Sequence, residues 1–566
     1  MNYKNFKTAF YCTINDVESI YSQLTPFEDE LAFIEKHLSI NKVYIETYRG
    51  RHWVERDKIL RLKELFNQRN IAVSGGITPD ISANWEFKPF CYTNQTHLND
   101  LKQIVAFTAE LFDEFIFDDF FFTNCRCENC ISAKGNRSWQ EFRCDMLKQT
   151  YQDIIMATAK HVNPNVSVII KFPNWYEYYQ ITGYNLGDAA KIFDKLYTGT
   201  ETRDPKFTQQ NLPRYLSYFL PRYLENVKPG HNNGCWFDAF DCMYNLGSYA
   251  EQCYLTVFAK AKEVTLFSLG LLLTRHRVFL PVAGFALDTA DSFIGALGNP
   301  QGIPCYKPYN SNGENYLHGF LGMLGFPLEP QPTFPLGAKL VLLTESAAFD
   351  SQIIERIKQH LIDGNDIVIT SGLLASLQNK GITDFGTIKF TNLKASTQLF
   401  AFPMYECSFG EYHQAVKAIT IPQIEFGTND FTQLAVAISE QKNYPLLIKT
   451  EYAKGNLYIL TIPDDFGDLY HIPTAVLNEI RRIFAKNLSV RLKGPNNIAL
   501  FLYDNNTVIV ESFLKYNCDI QLVIDHKDAV ATDLISCSTL TGNTIEQHTE
   551  INLKLAPASF RVFKIM

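Results

Sequence analysis

The sequence predicts an α/β protein in three parts: a (β/α)8 TIM barrel over residues 1–326, a small α/β domain over 337–488 and a C-terminal β-sandwich over 489–566. Three observations carry this. Strand-like and helix-like segments alternate eight times over roughly the first 320 residues, a spacing that suits repeated βα units. A proline-rich stretch, FPLEPQPTFPLG, follows with Pro327, Pro330, Pro332 and Pro335. Proline is stiff and cannot enter a sheet interior, so this stretch marks a boundary. The segments IALFLYDN, TVIVESF and IQLVIDH near the end alternate with period two and carry turn signals such as Asp504-Asn505-Asn506.

The barrel strands are expected at Ala9–Ile14, Lys42–Thr47, Ile71–Gly75, Phe115–Asp119, Val166–Phe172, Lys195–Thr200, Gly234–Asp238 and Val264–Leu271. Amphipathic runs between them include Glu28–Leu38, Lys58–Gln68, Leu98–Leu111 and Phe142–His161. A doubly wound open sheet is the alternative, but no glycine-rich phosphate loop follows the first strand. In the second domain, KLVLLT from Lys339, a helix around Gln352–Ile362 and the strand Asp366–Thr370 form an α/β unit that ends near a helix at Ala475–Asn487. No internal repeat or low-complexity tract is present.

At 566 residues the chain is too long for one hydrophobic core. Its net charge of −8, without a basic stripe, argues against a nucleic-acid partner. The most apolar run, VTLFSLGLLL after Glu263, is about ten residues, too short to span a bilayer, so no membrane partner is expected. The opening MNYKNFKTAFYCTIND lacks a basic region followed by an apolar one. The expected location is therefore cytoplasmic, or periplasmic if a leader has been removed. No P-loop and no GxSxG elbow occurs in strand–turn–helix context, which argues against phosphate and acyl-transfer chemistry.

The 13 cysteines are an odd count, and most are scattered singly (Cys12, Cys144, Cys253, Cys305, Cys407, Cys518, Cys537). That suits reduced, buried thiols rather than a disulfide framework. Cys125-x-Cys127-x2-Cys130 is different, because it offers three soft ligands within one loop, and tetrahedral zinc takes four. Cys91, in FKPFCYTN after the third strand, is the candidate fourth, since loops of adjacent barrel strands lie side by side. Four thiolates would leave no open position, so the zinc expected here is structural, and no organic cofactor is expected. A reduced loop with coincidental thiols is the plain alternative.

Carboxylates at the C-terminal ends of barrel strands face the pocket. The candidates are Glu46, Asp118, Asp119, Glu201, Asp204, Asp238 and Asp241. Glycoside cleavage uses two such acids, one protonating the leaving oxygen while the other attacks the anomeric carbon or activates water. Neighbours on a strand point to opposite sides, so Asp118 and Asp119 are not expected to be that pair. Asp119 is preferred as one catalytic carboxylate, ahead of Asp118, with Glu201 or Asp238 as partner. Glu201 follows the small residues Thr198, Gly199 and Thr200, and Arg203 stands nearby to hold charge or bind substrate. Glu46 is a candidate for substrate binding, although pairing with Arg49 or Arg51 is the better reading. For Asp241 too, a capping or ion-pair role is the better reading.

Four of the five tryptophans, Trp53, Trp85, Trp175 and Trp236, fall at or just after expected strand ends. Flat aromatic faces stack against the C–H faces of pyranose rings, so these, with Asn174, are candidate sugar contacts.

The order strand–carboxylate–loop–Cys-x-Cys-x2-Cys, followed by ISAKGNRSWQEFR with Trp139 and Arg143, resembles the family-42 β-galactosidases. The resemblance implies a zinc held by one cysteine on the third βα loop, where Cys91 stands, and three on the fourth. It also implies an amidotransferase-like middle domain that builds oligomers, hence a homo-oligomer, dimer or trimer. Two departures stand out. The family has Asn-Glu, its general acid, where this chain has Asp118-Asp119, and a nucleophilic Glu closing the seventh strand where this chain has Asp238. A divergent relative is implied, and galactoside specificity does not carry over. The expected function is that of a glycoside hydrolase acting on a small oligosaccharide or glycoside. The alternatives are a barrel that binds carbohydrate without cleaving it, and a zinc-dependent hydrolase.

Overall fold

A computed structural model describes residues 3–82, 86–403 and 409–566, so Trp85 and Cys407 lie outside the described residues. The chain divides into two compact units, Met1–Gly295 and Ala296–Met566.

The first unit is a closed barrel of eight parallel strands: β1 (Lys7–Cys12), β2 (Lys42–Arg49), β3 (Ala72–Ile77), β4 (Glu114–Phe117), β5 (Ser167–Phe172), β6 (Lys195–Gly199), β7 (Asn232–Asp238) and β8 (Glu263–Phe267). β1 pairs with β2 through Ala9↔Lys42 and with β8 through Lys7↔Glu263, which closes the ring. All eight expected strands are present, with ends displaced by local chemistry. β1 stops at Cys12 because Thr13 and Asp16 form a reciprocal capping box that starts the helix Ile14–Ser22. The apolar run after Glu263 is shared between β8 and a short helix, Leu269–Leu273, rather than continuing as strand to Leu271. The long helix expected over Phe142–His161 begins at Trp139 and passes through a π-helical stretch, Thr150–Met156.

Period-two alternation sends Ala9, Tyr11, Tyr44, Ile116, Ile169, Tyr197 and Trp236 into the barrel, where they pack as one cluster. Gly76 on β3 makes room for Tyr11, since a Cβ there would sit 2.7 Å from the phenol oxygen. Polar groups inside are satisfied among themselves. Glu263 accepts hydrogen bonds from the Tyr44 and Tyr197 hydroxyls at 2.7 and 3.0 Å and pairs with Lys42 at 2.8 Å.

The second unit holds a nine-stranded mixed sheet and two antiparallel sheets. In the mixed sheet Leu340–Leu343 and Asp366–Thr370 run parallel over the helix Ile353–Ile362, with Val341, Ile357, Leu361 and Ile367 in its core. Part of the proline-rich joint is itself a strand, Leu328–Gln331, paired with Ile303–Tyr306. That strand lies at the sheet edge, where Pro330 needs no N–H for a second neighbour. Ile388–Pro403 and Phe409–Phe426, long antiparallel strands absent from the sequence reading, extend the other edge. The C-terminal strands, including Ile498–Tyr503, Thr507–Ser512 and Cys518–Ile524, form sheets of six and four that share one core. No helix among the described residues is long and apolar enough to cross a membrane.

Candidate active site

The strands deliver their polar residues where they end. β4 is followed by Asp118 and Asp119, β5 carries Lys171, β6 is followed by Glu201 and Arg203, and β7 carries Trp236 and Asp238. All of these line one cavity of about 700 Å³ at the C-terminal end of the barrel.

Lys171 is the centre of the site, and the sequence reading missed it. Its side chain is buried, with the residue only 1% exposed. Its ammonium lies 3.0 Å from Glu201 Oε1, 3.1 Å from Asp119 Oδ2 and 3.6 Å from Asp118 Oδ1, and 4.3 Å from the centre of the Trp236 ring. Burial disfavours the ammonium, but the three carboxylates outweigh it and hold Lys171 protonated. A lysine in the otherwise apolar VSVIIKFP strand was the available signal.

The acids part company through their surroundings. For Asp118, burial opposes the charged form, yet Lys171 and Arg49 prevail and hold the carboxyl below its usual range. For Asp119, burial comes first, and the charges of Asp118 and Glu201 add to it. Together they overcome the pull of Lys171 and push the pKa up to about 8. Glu201 is raised too, by burial and by the charge of Asp238, while Lys171 draws it down. Asp119 is the member open to the cavity, its side chain 26% exposed. Contrary to the strand-alternation expectation, Asp118 and Asp119 both reach Lys171. β4 has ended at Phe117, and Asp118 turns the chain by accepting the Asp119 N–H at 2.8 Å.

Arginines and their carboxylate partners hold these groups in place. Arg49 donates from Nε to both oxygens of Glu46 at 2.9 and 3.0 Å, and from Nη2 to Asp118 at 3.2 Å. Glu46 also accepts from Tyr11 at 2.9 Å and Thr78 at 2.5 Å. Glu46 is fully buried and outside the cavity wall, which corrects its candidacy for substrate contact. Every oxygen it has is spent on Arg49, Tyr11, Thr78 and the Ile14 N–H. Asp238 is clasped by Arg203 through two contacts, 3.0 and 2.7 Å. Asp204 accepts from Lys206 N and Ser248 Oγ, a turn-capping role.

Trp175, Trp236 and Asn174 line the cavity. Asn174 Nδ2 donates to the Glu201 carbonyl at 2.7 Å, tying two loops together. Trp53 does not line it: the ring is 42% exposed and packs edge-on against Tyr48 and Phe107.

The four clustered cysteines come from the loops after β3 and β4. The sulfurs of Cys91, Cys125, Cys127 and Cys130 all lie within 4.8 Å of one another, with Cys91 3.7 Å from Cys127 and 3.6 Å from Cys130. None of them lines the cavity. The described cysteines are all free thiols.

Comparison with known proteins places this geometry. Residues 1–281 match the model of a probable glycosyl hydrolase catalytic domain, and residues 489–565 that of a probable glycosyl hydrolase C-terminal domain. Residues 298–465 match the second domain of the uncharacterized protein SSO3021. That protein, from Saccharolobus solfataricus, is 23% identical over 99% of both chains. Among solved structures, a β-galactosidase from Bacillus circulans sp. alkalophilus superposes with a TM-score of 0.67 at 11% identity, over 99% of both chains. An α-L-fucosidase from Paenibacillus thiaminolyticus gives 0.68 at 12%, over all of both chains. A GH42 β-galactosidase from G. stearothermophilus gives 0.66 at 10%, over 100% of this chain and 99% of its own. At such identities the solved structures speak for the fold alone. By its domains the chain is a glycosidase whose first domain matches the probable glycosyl hydrolase catalytic family, and it shares the fold of family-42 β-galactosidases.

Proposed function

We propose that the cavity cleaves a small oligosaccharide or glycoside from one end, with Asp119 as general acid/base and Glu201 as nucleophile. The observation that carries this is the sharing of one ammonium by the two acids, Asp119 on the cavity surface and Glu201 beside it. Their nearest oxygens are no farther apart than the two contacts laid end to end, about 6.1 Å. Retaining enzymes hold their carboxyls about 5–5.5 Å apart and inverting ones about 6.5–9.5 Å, and retention, the outcome of the closer pair, is the one put to the test. Asp119, still largely protonated at neutral pH, gives its proton to the glycosidic oxygen as the C–O bond breaks. Glu201 closes on the anomeric carbon to form a glycosyl ester. Water then attacks the same carbon, loses its proton to Asp119 and frees Glu201. Asp238, with both oxygens bound to Arg203, serves to fix that arginine rather than to attack. The Trp175 ring supplies the apolar surface a sugar ring packs against, while Trp236, buried beside Lys171 and Phe267, backs the acids.

The four cysteines fit a zinc ion. Bonds of about 2.3 Å in a tetrahedron put sulfurs about 3.8 Å apart, close to the 3.6 and 3.7 Å seen here. Four thiolates outside the cavity suit a structural ion that pins the loop after β4, not a metal-dependent hydrolysis. The homo-oligomer implied by the family-42 resemblance is part of the same proposal, and sedimentation measures it.

The test is hydrolysis of a panel of aryl α- and β-glycosides by wild type, Asp119→Asn and Glu201→Gln. Turnover by wild type with retained configuration, reduced at least about 1000-fold in both variants, is the expected result. A fully active Asp119→Asn enzyme would sink the assignment.

A further inference from the structure

We propose that Lys171 is the positioning residue of the reaction: its ammonium holds Asp119 and Glu201 together and lowers the proton affinity of both. The inference rests on the assignment of those two acids to the chemistry.

Lys171 stands two residues after Ile169, a core residue of the same strand, so the alternation of β5 turns both into the barrel. A buried ammonium is costly unless its donors are used. Here two donors go to Asp119 and Glu201 at 3.1 and 3.0 Å, the charge of Asp118 lies 3.6 Å away, and the Trp236 ring centre is 4.3 Å from the ammonium. Both hydrogen bonds that Lys171 makes are to the acids. Its effect on the reaction passes through the carboxylates.

The charges explain the partition. Arg49, Lys171 and Arg203 face Glu46, Asp118, Asp119, Glu201 and Asp238. Fully ionised, this group carries two uncompensated negative charges in a buried place, and taking up a proton relieves one of them. Asp118 touches both Arg49 and Lys171, so it is the least ready to accept it. Of these two cations Asp119 touches Lys171 only, and it feels the charges of both Asp118 and Glu201, which favour the proton there. Burial and Asp238 raise Glu201 as well, but Lys171 at 3.0 Å opposes them and favours the carboxylate that the nucleophilic role needs. Without Lys171 the two acids would lose their common cation, and both would bind protons more tightly.

The experiment compares Lys171→Met, Lys171→Gln and Lys171→Arg with wild type on the best substrate of the panel, across pH. The ascending limb of kcat/KM reports ionisation of the nucleophile in the free enzyme. In Lys171→Met that limb is expected to move up by about one pH unit or more, a tenfold or greater gain in proton affinity. kcat falls by about 100-fold, with KM within about threefold of wild type. Lys171→Gln, which hydrogen-bonds without charge, shows the same shift, while Lys171→Arg keeps the limb within about half a unit. Far-UV circular dichroism confirms folding, and if Lys171→Met fails to fold, Lys171→Gln and Lys171→Arg decide the matter. A limb unmoved in Lys171→Gln, or a loss confined to KM, overturns the proposal. Asp119→Asn and Glu201→Gln are assayed beside them. Activity surviving in either overturns the acid assignment. Loss in both, with an unmoved limb in the lysine variants, overturns the role of Lys171 alone.

Discussion

Arg203 grips Asp238 through both carboxylate oxygens, at 3.0 and 2.7 Å, and so fastens the loop after β6 to the end of β7. Arg203 holds a left-handed backbone, φ 55°, a conformation that costs a non-glycine residue about 1–3 kcal/mol and persists because its surroundings enforce it. Removing the guanidinium leaves Asp238 buried without its partner. Arg203→Ala is therefore expected to lower stability by about 2–4 kcal/mol in urea unfolding and to reduce kcat/KM, with Arg203→Lys recovering only part of either.

The proton on Asp119 sets a second expectation. With its pKa pushed up to about 8, the acid limb required for leaving-group protonation is expected to fall away near pH 8 in a kcat/KM profile. The same shift bears on stability. The folded state binds this proton more tightly than the unfolded chain, whose aspartate titrates at 3.8. The stability it contributes is full below that value and is lost as pH rises towards 8. Asp119→Asn removes the dependence, so the variant is expected to gain on wild type in thermal unfolding as pH rises from 4 to 9.

Loading of the cysteine cluster is directly measurable. Elemental analysis is expected to find one zinc per chain, and Cys91→Ser or Cys127→Ser to lose it. Stripping the metal lowers Tm by about 5 °C or more through the loop that follows β4. Because none of the thiols lines the cavity, the metal-free enzyme, assayed well below its new Tm, is expected to keep the same pH profile. A profile that changes shape would point to a catalytic metal instead.

The tryptophans should separate by place. Trp236 is buried against Tyr11 and Phe267, with ring centres 4.5 and 5.3 Å away, so Trp236→Ala is expected to cost about 3–5 kcal/mol as well as activity. Trp175 lines the cavity without being sunk in the core. Its replacement by alanine is expected to raise KM about tenfold with a smaller loss of stability. Trp53→Ala, away from the cavity, leaves KM unchanged.

Much of this molecule was readable along the chain. The eight barrel strands, the acids at their ends and the Cys125–Cys130 cluster rest on periodicity and spacing, which are local properties. The reading failed where a residue's meaning lay elsewhere in the fold. Trp53 and Trp175 both follow strands in polar stretches, yet only Trp175 lines the cavity. Asp118 and Asp119 were assigned opposite directions by strand alternation, which lapses once the strand ends at Phe117.

The sequence alone determined the architecture and the set of acids available to it, because side-chain period and strand-end position are written residue by residue. Only the tertiary structure decided which acids share one ammonium and which are pushed towards holding a proton. Lys171 lies 52 positions from Asp119 and 30 from Glu201, yet stands about 3 Å from each. Charge, burial and distance set a carboxyl's proton affinity, and none of the three exists until the barrel has closed.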